Sequence, residues 1–256
     1  MSEGAPILAA DEISHVYRNG SGEVRALDDV SLSLPAESFT CLVGPSGCGK
    51  STLLRILAGL IAPAEGRVLL DGQPITAPQR RIGVVFQQAN LMPWRTVAAN
   101  LSLPLELAHA PGEEIRRRTE AMLDLVGLAG FAEAYPAGLS GGMAQRVAIG
   151  RALIHDPEVL LLDEPFGALD ALTREQMSGE LLRIWARHRK TVLMVTHSIP
   201  EAVLLADRVL VMSPRPGQII GDVPIPLPRP RSLDLLHEPG YVALTERLRK
   251  CIKSSD

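Results

Sequence analysis

A chain of 256 residues, 46% hydrophobic and with a formal net charge of -3, can build one large domain, or a domain carrying an inserted subdomain, around a substantial core. The slightly acidic balance argues against a dedicated nucleic-acid binder, and apolar runs such as VLLLD and TVLMVTH fall far short of the roughly 20 residues a spanning helix needs. Three cysteines (Cys41, Cys48, Cys251) without CxxC or metal-like spacing, and an opening without a basic-then-apolar leader, point to a reduced, intracellular protein.

The first elements read as strands: ILAADEISHVY, then VRALDDVSLSL with alternating apolar positions, with SGEV supplying turn residues between them, then SFTCLVG. After residue 50 the pattern turns helical in STLLRILAGL, and Gly59 and Pro63 mark its end. The junction between strand and helix is GPSGCGKS, Gly44 to Ser51, a full match to G-x-x-x-x-G-K-[ST] in the context that motif requires. Its glycines let successive N–H groups point at phosphate oxygens, and the helix N-terminus adds partial positive charge. Lys50 is expected to reach the β and γ phosphates, and the Ser51 hydroxyl to ligate Mg²⁺. This loop binds a nucleotide. Cys48 lies inside it beside a helix start and a lysine, which favour thiolate, so alkylation is expected to inhibit and ATP to protect; a small filler residue is the plainer role.

GRVLLDG and RIGVVFQ read as further short strands, followed from Leu91 to about His155 by a mostly helical block that includes EEIRRRTEAMLDLVGL. Within that block, Ser140, Gly141 and Gly142 sit at the mouth of an amphipathic helix, a second backbone anion cradle. Strand and helix then alternate: EVLLLD, a helix around Thr173 to His188, TVLMVTH, a helix through PEAVLLADR, then VLVMS. Such alternation implies a mainly parallel sheet with helices packed on it, and the helical block, about 90–156, reads as an insertion between its strands. The proline-rich PIPLPRPRSLD reads as an extended linker to a short terminal helix, YVALTERLRKCI, so the expected division is 1–225 for the main domain and 226–256 for linker and helix.

EVLLLDEP places Asp163 and Glu164 at a strand end, where successive side chains project to opposite sides. Asp163 is then expected to face Mg²⁺, and Glu164 the γ-phosphate side as general base for an attacking water. Gln87 could touch Mg²⁺ and that water, His197 could hydrogen-bond the γ-phosphate, and Tyr17 could stack on adenine. Taken singly, each also suits an ordinary packing or surface role.

The order tyrosine, phosphate loop, glutamine, LSGG, acidic strand end, GALD, histidine resembles the nucleotide-binding subunit of ATP-binding-cassette (ABC) transporters, from about residue 6 to 225. The resemblance implies a P-loop NTPase (RecA-like) core with an N-terminal antiparallel β subdomain and an inserted α-helical subdomain. It also implies an ATPase using ATP and Mg²⁺ as a head-to-tail homodimer, each ATP held by one phosphate loop and covered by the partner's LSGG. By that resemblance Gly44, Pro45, Ser46, Gly47, Cys48, Gly49, Lys50, Ser51 and Thr52 hold phosphates, Tyr17 stacks on adenine and Gln87 is a switch. Ser140, Gly141 and Gly142 bind the opposite γ-phosphate, Asp163 supports Mg²⁺, Glu164 is the base, Asp170 belongs to the dimer-contacting loop, and His197 is the γ-phosphate switch. Met143 stands where many members carry glutamine, which leaves the backbone donors and Ser140 intact.

LMPWRTVAAN, HSIPEAVLLADRVLVMSPRPGQI and IPLPRPRS look like the nitrate, sulfonate and taurine importer branch. That implies a peripheral subunit on the cytoplasmic face of the inner membrane, two permease subunits, an external solute-binding protein and no nucleic acid. Met92, Pro93 and Trp94 are candidates for the permease-docking groove, and Trp94 could equally pack within its own subdomain. A cassette exporter shares the same engine. A P-loop kinase would leave LSGGMAQR and GALD without a role, and a nucleic-acid-acting cassette would carry a duplication or long heptads, which are absent from the sequence.

Overall fold

In the computed structural model, which describes residues 6–19 and 22–253, β3 (Phe39–Val43), β7 (Val159–Asp163) and β8 (Thr191–Val195) are buried along their whole length. Their side chains alternate between two cores. Phe39, Cys41, Val43, Leu160, Leu162, Val192 and Met194 face one cluster, whereas Leu42, Val159, Leu161, Leu193 and Val195 face the other. A strand that buries both faces must be apolar throughout, which is why these runs carry no polar alternation.

These strands form the centre of a six-stranded sheet in the order β10 (Ile219–Pro224), β9 (Arg208–Met212), β3, β8, β7, β6 (Ile82–Val85), parallel except for β10. A separate antiparallel sheet has the order β2 (Gly22–Leu34), β1 (Leu8–Asn19), β4 (Glu65–Leu70), β5 (Gln73–Ile75). The turn expected between β1 and β2 at residues 20 and 21 lies outside the described residues. One core joins this second sheet to α1 (Lys50–Leu57) and one face of the parallel sheet; the other holds the remaining helices against the opposite face. The result is an α/β P-loop core with an N-terminal antiparallel β sheet and an added helical block of α2 (Val97–Leu107), α3 (Gly112–Leu125) and α4 (Gly141–Leu153).

The chain then alternates β7, α5 (Ala171–His188), β8, α6 (Ile199–Leu205) and β9, and ends in α7 (Pro239–Lys253). The proline-rich stretch before α7 packs back on the body. Arg231 is 7% exposed, and Tyr241 and Leu248 of α7 enter the main core, the Tyr241 hydroxyl donating to the Pro200 carbonyl at 2.7 Å. Two short strands, β5 and β10, were not expected from the sequence, since QPI and IIGDVP have too little pattern to stand out.

Candidate nucleotide site

The phosphate loop begins where β3 ends. Gly49 adopts φ 112°, a left-handed conformation that a side chain would strain, and a Cβ there would also sit 2.7 Å from the Ala26 carbonyl oxygen of β2. Gly44 is equally confined, with the Met212 carbonyl oxygen 2.8 Å from any added Cβ. Lys50 opens α1 but is only 5% exposed; its Nζ donates to the Gly44 and Pro45 carbonyls at 2.9 and 2.8 Å. The ammonium is thereby folded back over the loop. Cys48 is buried, its Sγ accepting a weak 3.7 Å bond from Lys50 Nζ, so alkylation requires the loop to open first.

A cleft of about 520 Å³ runs along this loop. Tyr17 of β1 stands on one wall, 39% exposed, with its hydroxyl 3.2 Å from Thr52 Oγ1. Ser46, Gly47, Lys50, Ser51, Gln87 and Glu164 also line it. Lys50, Ser51, Gln87 and Glu164 come from three separate elements or their ends, so the sheet brings the expected phosphate, switch and base residues to one place.

Ser51 Oγ donates to Asp163 Oδ1 at 2.8 Å. Burial raises the Asp163 pKa, the Glu164 charge adds to this, and the Ser51 hydrogen bond offsets it only in part. A hydroxyl beside a buried, strained-to-ionise carboxylate is a donor set that suits a hard divalent cation, which would hold its remaining positions with phosphate and water. The raised pKa also carries a sign for stability. A carboxyl that binds its proton more tightly in the fold destabilises the fold once ionised, and the deficit grows as pH rises through the carboxylate range. Asp163→Asn, whose amide oxygen can still accept from Ser51, is therefore expected to melt higher than the wild type at neutral pH without nucleotide, by about 2–4 °C per kcal/mol relieved. The gap should close as pH falls. An equal or lower melting temperature in differential scanning calorimetry would refute the sign.

Asp163 and Glu164 are not successive strand residues, so strand alternation does not set their directions. β7 stops at Asp163, and Glu164 takes φ 45°, in the left-handed region that costs a non-glycine residue on the order of 1–3 kcal/mol. Its N–H donates to the Val195 carbonyl at 2.9 Å, and its own carbonyl accepts from Gly167 N at 3.0 Å. These bonds hold the twist that sends Glu164 Oε2 to within 3.2 Å of His197 Nδ1. His197, about half exposed, follows β8.

Ser140 and Gly141 are exposed at the start of α4, and neither they nor Gly142 line the cleft. Ser140 Oγ caps α4 by accepting from Met143 N at 3.3 Å. Asp170 caps α5, accepting from Thr173 N at 3.0 Å and Thr173 Oγ1 at 2.7 Å, and these bonds lower its pKa. Gly142 packs on α5, where an added Cβ would meet Thr173 Cγ2 at 3.1 Å.

Three residues of this site are not legible as site residues in the sequence. Arg215 lines the cleft and donates through Nε and Nη2 to the Gly47 carbonyl at 3.1 and 2.8 Å. Gly217 exchanges backbone bonds with β2, its N–H donating to Ala26 O and its carbonyl accepting from Asp28 N, and a Cβ on it would collide with the Cys48 carbonyl oxygen. Glu201, 7% exposed, lies beneath His197, accepts from the Thr196 hydroxyl, and has its pKa raised by burial. A glycine in an RPG turn and a lone acid early in a helix were the available signals, and both are common.

A parallel sheet with a phosphate loop on its central strand and a carboxylate pair ending the strand two places away defines a P-loop nucleoside triphosphatase. The sequence matches the family model described as ABC transporter over residues 27–167. Its relatives include an ABC transporter ATP-binding protein of Methanocaldococcus jannaschii, 51% identical over 88% of this chain and 84% of that protein. The nitrate import ATP-binding protein NrtD of Synechococcus elongatus is 47% identical over 94% of this chain and 90% of its own. The aliphatic sulfonates import ATP-binding protein SsuB of Bacillus cereus is 44% identical over 88% of both chains. A dimeric bacterial ABC transporter cassette superposes with a TM-score of 0.76 at 35% identity, covering 85% of this chain and 98% of that one. A post-hydrolysis dimer bound to ADP and Pi, also 35% identical, gives 0.75 over the same shares. The chain belongs to the ABC transporter family and is an ABC-type ATPase that binds ATP.

Proposed function

We propose that this subunit hydrolyses ATP at two composite sites of a head-to-tail homodimer and thereby energises import of a small anionic solute of the nitrate, sulfonate or taurine type. The observation that carries the dimer is the division of the site. The cleft gathers Tyr17, Lys50, Ser51, Gln87 and Glu164, while Ser140 and Gly141, at the capped start of α4, are exposed elsewhere on the same chain. A second copy is needed to bring the two together. The solute class rests on the nitrate and sulfonate import relatives.

In this reading the loop from Gly44 to Thr52 holds the phosphates and Tyr17 supports the adenine. Ser51, Asp163 and Gln87 hold Mg²⁺, which supplies charge neutralisation at the phosphates. Glu164 orients the attacking water and takes its proton, and His197, already beside Glu164 Oε2, contacts the γ-phosphate. Asp170 fixes the loop that meets the partner.

No helix among the described residues is long and apolar enough to cross a membrane. The partners in this reading are two permease subunits, with an external solute-binding protein above them. The subunit sits on the cytoplasmic face. Trp94 supports the docking assignment, because it is 72% exposed and its own subdomain leaves it uncovered. The turn presenting it is tied to α2 by one side chain. Buried Asn100 donates to the Met92, Arg95 and Thr96 carbonyls at 3.1, 3.0 and 3.0 Å and accepts from Met92 N at 2.8 Å. Trp94→Ala is expected to leave ATP turnover of the isolated subunit within about twofold and to abolish solute-stimulated turnover in vesicles carrying the copurified permease, as loss of an interface anchor does. Normal coupling in that variant would remove Trp94 from the interface. In the same vesicles, stimulation by nitrate, an alkanesulfonate or taurine added on the binding-protein side tests the solute class; outward transport would overturn import.

A further inference from the structure

A cavity of about 470 Å³ lies between the C-terminal half of α5 and residues 229–231, at the end of the sheet opposite the phosphate loop. Five guanidinium groups line it: Arg183, Arg187, Arg189, Arg229 and Arg231. Among the described residues, two carboxylates form ion pairs with them. Glu180 pairs with Arg183 at 2.6 Å, and Asp207 serves both Arg229 and Arg231 at 2.7 and 3.8 Å. The C-terminal dipole of α5 amounts to about half a charge, too little to balance the rest.

The arginines differ in what they have left to give. Arg229 donates to Asp207 and to the Leu205 carbonyl, both at 2.7 Å. Arg231 directs its two terminal nitrogens at carbonyls, the shortest being Ala206 O at 2.6 Å, yet its buried Nε has no partner. Burial, followed by the charge of Arg229, lowers the Arg231 pKa to about 10. Arg187 and Arg189 are exposed and form no ion pair or side-chain hydrogen bond among the described residues. The Trp185 ring forms one wall, with Arg229 Cζ 4.1 Å and Arg189 Cζ 4.9 Å from its centroid. A guanidinium held over a ring keeps its N–H edges free for an oxyanion.

We propose that this cavity binds a small molecule bearing a tetrahedral oxyanion, a phosphate, sulfate or sulfonate group, with the exposed Arg187 and Arg189 as donors and the part-buried Arg229 and buried Arg231 adding positive charge behind them. The volume falls within the range of about 300–1,000 Å³ typical of small-molecule sites and exceeds what a bare anion fills. The site shares no lining residue with the nucleotide cleft.

The chain has two tryptophans, and Trp94 can be replaced by phenylalanine so that Trp185 alone reports. Titration of this variant with sodium sulfate and with sodium butanesulfonate, at ionic strength fixed with sodium chloride, should give a saturable change in Trp185 emission. Half-saturation at lower butanesulfonate assigns the organic ligand, and half-saturation at lower sulfate the free anion. Arg187→Gln with Arg189→Gln should raise the half-saturating concentration by about tenfold or more, as loss of hydrogen bonds to a charged group predicts, with ATP hydrolysis retained. Arg189→Lys, which keeps the charge and loses the fork, should fall between. A response that matches chloride, rises without saturation, or survives the double substitution would overturn the site.

Discussion

Replacing Glu164 with glutamine is expected to lower ATP turnover by about 10²–10⁴-fold, the range that a positioned general base supplies, while ATP still binds. The amide keeps the shape of the side chain and its contact with His197 but cannot accept a proton. With hydrolysis stopped, the ATP-bound dimer has no exit and accumulates, which light scattering or gel filtration detects as a doubling of mass. The backbone makes this substitution clean. The Glu164 twist is held by main-chain bonds to Val195 and Gly167 that glutamine leaves untouched. Phosphate release near the wild-type rate would take Glu164 out of the base role.

The second large effect falls on a residue outside the cleft. Ser140→Arg should leave ATP binding to the single subunit within about twofold, since nothing in the cleft touches Ser140, and should still lower turnover by about 100-fold or more, comparable to losing preorganised donors at a reacting phosphate. Loss of the cap to Met143 N costs about 0.5–2 kcal/mol by itself, so Ser140→Ala is the control that separates helix stability from site closure. Mixed with Glu164→Gln, the arginine variant should close at most one of the two composite sites. Full ATP trapping at both sites of that mixture would show that Ser140 does not cover a partner's nucleotide.

Much of this architecture was legible because the information is local. GPSGCGKS sets its own backbone, and the runs at β3, β7 and β8 are apolar for the simple reason that both of their faces are covered. Strand periodicity gives no sign that the chain leaves the strand at Asp163, so alternation along β7 does not describe how Glu164 is placed. What stayed hidden depends on distant partners. The burial of Cys48 comes from the fold around its loop, Arg231 reads as part of a linker although carbonyls around α6 surround it, and Arg215 gains meaning only beside Gly47. No window of sequence contains both halves of those contacts.

The turn at residues 213–218 gives this loop a history as well as a shape. Gly217 fits against Cys48 with no room for a side chain, and Arg215 grips Gly47 from 168 positions downstream. Although the phosphate-binding sequence is among the first parts of the domain to be made, its roof is among the last. A nascent chain halted before Arg215 would carry the motif without the wall that confines it, and that wall forms only by closing a loop across the whole domain, the kind of non-local contact that slows folding.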